Sequence, residues 1–153
     1  MSRTIMKFDE RQKLINIAQP HSIISGEVKV VDHSPMEDTA PAGSMLSSIK
    51  DMSNWLTAQL YDGQFQGKQA ISKRAIRRTR NPYSFQAFNQ ANNARTHFYA
   101  YGLGYFVRDI NGVLTYQHSG GITGFSTNHI IIPQEELAIV ILTNNDTNRL
   151  YID

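Results

Sequence analysis

Four consecutive residues, His118-Ser119-Gly120-Gly121, combine an imidazole, a hydroxyl and two backbone units without side chains. Such a set suits acyl transfer: histidine exchanges protons near neutral pH, and glycine lets a backbone N–H approach a developing negative charge. It suits equally a plain hairpin with a histidine near its turn, and the residues alone leave both readings open. Ser119 beside His118 invites a nucleophile–base pair, but neighbouring side chains of a strand point to opposite faces, which counts against it. A second candidate, Ser47-Ser48-Ile49-Lys50, satisfies Ser-x-x-Lys and would set a lysine one helical turn from a serine. The same residues open a helix, with Ser48 as cap and Asp51 completing a capping box. The capping reading is preferred, and Ser47 is then a decoy. Tyr101 and Tyr105 could relay protons, but aromatics of a glycine-punctuated strand are expected in the core. His21, His33, His97, His118 and His129 are scattered without metal-site spacing, so no metal and no other cofactor is expected.

The run from Lys68 to Arg80 carries Lys68, Lys73, Arg74, Arg77, Arg78 and Arg80, with no acidic residue between Asp62 and Asp109. It lacks a nucleic-acid-binding signature and reads as a solvated helix face. Asn145-Asp146-Thr147 matches a glycosylation acceptor, a pattern short enough to arise by chance. The 153 residues carry a formal charge of only +2 and no cysteine, so neither an acidic partner nor a disulfide is implied. No apolar run reaches the roughly 18 residues needed to span a membrane, and Met1 to Met6 lacks the apolar stretch of a secretory signal.

These residues need elements to position them. Residues 1–45 read as polar and irregular, with Gly26 dividing Ile23-Ile24 from Val28 to Val31 as a hairpin would. A helix is expected from Ser48, with Met52, Trp55, Leu56 and Leu60 at helical spacing and Gly63 as its stop. A shorter helix follows from Ser72 and ends before Pro82; residues 83–98 carry no clear signal. From Tyr101 the period changes to that of strands. Tyr101 to Arg108 and Val113 to His118 flank an Asn111-Gly112 turn. Gly120, Gly121 and Gly124 suggest a tight bend. Asn128 to Ile132, a turn at Pro133 to Glu136, and Leu137 to Thr143 follow. The last strand is apolar enough to be buried on both faces. The fold class is α+β, helices followed by an antiparallel β meander.

Several segments together resemble the serine β-lactamase and penicillin-binding-protein superfamily, in its class C-like and esterase-like branches. Ala42 to Ser48 with Asp51-Met52 and Trp55-Leu56 resembles the glycine loop and mid-domain helix. Tyr101-Gly102-Leu103-Gly104-Tyr105 is similar to the Y-G-L-G-aromatic strand, and His118-Ser119-Gly120-Gly121 to the H-x-G form of the third catalytic motif. Pro133 with Leu137 to Asn144 resembles the closing strand, and Met1 to Thr4 looks like the segment that follows the helical lobe. The resemblance implies a partial β-lactamase/transpeptidase-like fold in a single partial domain over 1–153. Its parts are a lead-in at 1–45, a helical part at 46–100 and a sheet at 101–144. The family's Ser-x-x-Lys nucleophile segment, its Tyr-x-Asn loop and its C-terminal helix are not matched.

By that resemblance His118 and Gly121 are catalytic, forming an oxyanion wall, while Ser119 and Gly120 bind substrate. The intact protein would hydrolyse a β-lactam, a D-amino-acid peptide or an ester through an acyl-enzyme, and this chain alone would be inactive. The alternative is a non-catalytic binding or structural remnant, or a half that needs a partner chain. Partners are then a small-molecule or peptide substrate, with self-association or a complementing chain, and no nucleic acid. Family members are often exported, which leaves the compartment open. Ile139, Val140 and Ile141 are expected to stay partly uncovered.

Overall fold

The computed structural model of the protein describes residues 1–6, 8–36, 39–87 and 96–147. After a 3₁₀ turn at Phe8–Lys13 come β1 (His21–Ile24) and β2 (Glu27–Val30), the expected hairpin, closed through Ser25 and Gly26 at φ 55° and 83°. A single-turn helix α1 (Ala40–Gly43) precedes α2 (Ile49–Leu60). A small hairpin, β3 (Gln64–Phe65) and β4 (Lys68–Gln69), leads to α3 (Lys73–Thr79). The remaining strands are β5 (Ser84–Phe85), β6 (Tyr99–Tyr101), β7 (Phe106–Ile110), β8 (Val113–Ile122), β9 (Phe125–Ile132) and β10 (Leu137–Thr143). They form one sheet in the order β10-β9-β8-β7-β6-β5, the α+β meander read from the periodicity. The chain divides into two compact units, one of Met1–Met52, Ser119–Asn128 and the chain from Ile141, the other of Ser53–His118 and His129–Val140.

In the first unit, Ser48 caps α2 by accepting the Asp51 N–H at 3.2 Å. The Asp51 carboxylate turns outward from the capping box instead and accepts from the Arg3 N–H and the Thr4 hydroxyl, each at 2.8 Å. Burial alone would raise its pKa, but these donors outweigh it and hold the group below the usual carboxylate range. Ile5 and Leu46 exchange backbone bonds beside this point, so one buried acid fastens the start of the chain to the helix. Asp146 plays the same part elsewhere, accepting from the Ser22 hydroxyl at 2.5 Å and the Gly124 N–H at 2.9 Å.

The second unit holds the core of Leu56, Tyr105, Val107 and Ile131, with Trp55, Leu60, Phe98, Tyr116 and Val140 packed around it. The helical stop at Gly63 is obligatory: its φ is +91°, and an added Cβ would lie 1.9 Å from the Ile71 carbonyl oxygen. Ile76 anchors α3, and the Arg80 guanidinium after it donates to the Gln59 carbonyl at 2.6 Å while lying 4.7 Å over the Tyr116 ring.

Three further expectations change. The strand read as Tyr101 to Arg108 is two strands, because Gly102 donates its N–H to the Tyr105 carbonyl at 2.7 Å and Gly104 takes φ +85°, reversing the chain. Gly120 and Gly121 lie inside β8 and not in a bend; the reversal comes later, at Gly124, with φ +76°. The closing strand β10 is not buried on both faces. Among the described residues it forms the edge of the sheet, and Leu137, Ile139 and Leu142 are 43%, 43% and 39% exposed. Apolar content misled here because an edge strand lacks a neighbour to cover it. Of the unassigned stretch 83–98, Ser84–Phe85 is a short strand, and residues 88–95 lie outside the described residues.

Gly104 and Gly121 test the origin of the reversal, since an added Cβ meets nothing within 4 Å at either position and only Gly104 has positive φ. Gly104→Ala should cost about 1 kcal/mol in urea unfolding, while Gly121→Ala should be neutral or slightly stabilising. Equal costs would show that φ is not the deciding constraint.

Candidate active site

β8 carries all four residues singled out by their types. His118 ends the part of β8 in the second unit and is half-buried; Ser119, Gly120 and Gly121, in the first unit, are exposed. An added Cβ at Gly121 meets nothing within 4 Å, so the backbone there is approachable. At Gly120 the same atom would lie 3.0 Å from the Thr127 hydroxyl oxygen, which fits only a residue without a side chain comfortably.

Around His118 the second unit builds an aromatic setting. The Tyr101 hydroxyl lies 3.0 Å from His118 Nε2, in hydrogen-bond distance, with either atom able to donate according to the tautomer. Phe106 stacks on the imidazole at 5.4 Å and 27°, and Tyr99 stacks against Phe106 at 5.2 Å. Tyr101 meets Phe106 edge-on at 4.8 Å. The register brings three strand segments together: Tyr101 pairs with Phe106 across β6 and β7, and Phe106 with Gln117 across β7 and β8. Two short turns lay these strands side by side, and His118, the residue after Gln117, comes within reach of the Tyr101 hydroxyl 17 positions away.

The two tyrosines therefore part. Tyr105 is a core residue, 5% exposed, with burial pushing its phenol up to about 12 against the opposing pull of Arg80. Such a group stays protonated and relays nothing near neutral pH. Tyr101 is the one that reaches the histidine. His129, which the sequence did not single out, sits between Trp55 at 5.2 Å and Tyr105 at 5.6 Å, both edge-on. Burial, and secondarily the nearby His118, lowers its pKa to about 4. Its Nε2 is buried without a hydrogen-bond partner among the described residues. The sequence signals that could have found this pairing were the spacing of Gly102 and Gly104 and the Asn111-Gly112 turn, which together fix the register.

The Ser47 candidate falls to another partner. Its hydroxyl lies 2.8 Å from that of Thr4, it stands before the first residue of α2, and Lys50 is exposed.

The chain resembles known proteins over most of its length. The family model described as Beta-lactamase matches residues 11–151. An octameric penicillin-binding protein homologue from Pyrococcus abyssi superposes with a TM-score of 0.74 at 20% identity, over 94% of this chain and 30% of that one. A D-stereospecific amidohydrolase from Streptomyces sp. gives 0.59 at 20% identity, over 84% of this chain and 35% of the other. The chain thus spans about a third of the length of these solved structures. No curated protein matches it.

The neutral state of His129 makes a signed prediction. Its pKa falls from 6.5 to about 4 on folding, so between those values the unfolded chain binds a proton that the folded chain does not. Stability should be fully present above pH 6.5 and decline as the pH drops toward 4, by at most about 3 kcal/mol. Urea unfolding at a series of pH values should show this slope flattened in His129→Gln; an identical slope would remove the assignment.

Proposed function

Because the chain belongs to the Beta-lactamase family, we propose that it supplies one wall of the acyl-transfer site of a serine hydrolase. The observation that carries this reading is the 3.0 Å contact between the Tyr101 hydroxyl and His118 Nε2, held under the Phe106 ring at the start of an exposed Ser-Gly-Gly strand. In the reaction a serine oxygen adds to the substrate carbonyl, and the carbonyl oxygen takes up the negative charge. The Gly121 N–H donates to that oxygen, a task that needs a backbone open to approach. His118 orients the reacting groups and exchanges a proton with them, with Tyr101 as a positioning residue that fixes the imidazole. The bond to the leaving group then breaks, and water releases the acyl group from the serine. Ser119 and Gly120 line the substrate, the Ser119 hydroxyl donating to a substrate carboxylate.

The substrate class is an amide or ester: a β-lactam, a D-amino-acid peptide or a small ester. The nucleophile comes from neither Ser47 nor Ser119. Ser47 is engaged with Thr4, and Ser119 alternates with His118 along a strand. The 153 residues alone are therefore inactive and work with a further segment or a complementing chain. The exposed Leu137, Ile139 and Leu142 on the edge strand support association of that kind.

Intact mass after incubation with a penicillin and, separately, a fluorophosphonate tests the reading. An unshifted chain beside a reacting full-length family member is expected. A stoichiometric adduct on Ser47 or Ser119 would overturn the assignment of the nucleophile.

A further inference from the structure

Away from the histidine, the second unit contains a concavity of about 560 Å³ lined by Lys73, Arg74, Arg77, Arg78, Asn81 and Tyr83. Lys73 and Arg77, one turn apart on α3, both reach the Asp62 carboxylate, at 2.9 Å and 3.4 Å. Arg74 and Arg78, also one turn apart, have no carboxylate within ion-pair distance among the described residues. Four cations thus line the concavity while only two of them reach a carboxylate, and no acidic residue occurs between Asp62 and Asp109 to add another. Like charges at this helical spacing repel, so the arrangement costs stability unless an anion fills it. A solvated helix face, the plain reading of this run, accounts for the charge but not for its gathering around a hollow.

We propose that this hollow is a binding site for a compact polyvalent phosphate, a diphosphate or short polyphosphate group. Two arginines with free forks match phosphate oxygens two at a time, which lysines alone would not. Lys73 and Arg77 add charge while keeping their hold on Asp62. The Asn81 amide and the half-exposed Tyr83 hydroxyl supply neutral donors at the rim. The volume falls within the range of small-ligand sites and suits a few phosphate groups, not a nucleic-acid strand tracked along a groove. Asp62 acts as an internal competitor for the same cations.

That competition gives the test two opposite signs. Isothermal titration of the full chain at low salt with inorganic phosphate, diphosphate and tripolyphosphate should show saturable one-to-one binding that tightens with each added phosphate. Arg74→Gln/Arg78→Gln should weaken tripolyphosphate binding at least about tenfold, the loss of two charge-assisted pairs. Asp62→Asn should tighten it several-fold; asparagine tolerates the left-handed backbone at this position, where φ is +51°. Amide shifts on titrating the unaltered chain should cluster at Arg74, Arg77, Arg78, Asn81 and Tyr83. Absence of saturable binding, shifts centred elsewhere, equal affinity in the arginine variant, or Asp62→Asn binding no tighter would each overturn the proposal. So would binding seen only with a single-stranded oligonucleotide.

Discussion

A reversal of the backbone at Gly102–Tyr105 determines what the sheet can present. Gly102 donates to Tyr105, Gly104 occupies the left-handed region, and the chain comes back on itself within four residues. Gly102 also packs where any side chain would collide, since an added Cβ would sit 2.3 Å from the Thr79 carbonyl oxygen. This turn sets Tyr101 opposite Phe106, and the Asn111-Gly112 turn, at φ 53° and 82°, sets Phe106 opposite Gln117. Contact between Tyr101 and His118, the residue after Gln117, is made where these two registers lay the strands side by side.

Much of this was legible in the sequence where a local rule decides the outcome. The capping serine of α2, the Gly63 stop, the Ile23–Val28 hairpin and the Pro133 turn need only near neighbours, and all four stand as read. Tyr101 to Arg108 read as one strand because alternation continues across the reversal, and alternation is blind to a glycine with positive φ. The closing strand misled for a different reason: its apolar residues say that it wants cover, and only the sheet order says whether cover is present. Among the site residues, His118 and the glycines were visible as types. Tyr101 as their partner was not, since a contact across 17 residues depends on register. His129 carried no motif at all; its character comes from burial between Trp55 and Tyr105.

The polar groups of the second unit separate into paired and unpaired. His118 is half-buried and has its hydroxyl partner. His129 Nε2 and the Tyr105 hydroxyl are buried without one among the described residues, and both groups are held neutral by that burial. Asp109 shows the contrary case. Burial would raise it, but the His97 ring and the N–H groups of His97, Phe98 and Gly112 outweigh that and hold it near 2, which makes it a permanent clamp on the Asn111-Gly112 turn. The turn that sets the register of β7 and β8 is thus itself braced by a charge.

The most direct measurement is the ¹⁵N spectrum of the histidine side chains in the unaltered chain and in Tyr101→Phe, which keeps the ring and deletes only the hydroxyl. A preformed Tyr101–His118 pair predicts that His118 Nε2 shifts on losing its partner while His129 is little changed. An unmoved His118 Nε2 would mean that the imidazole is not held by Tyr101, and the wall described above would not be assembled by this chain.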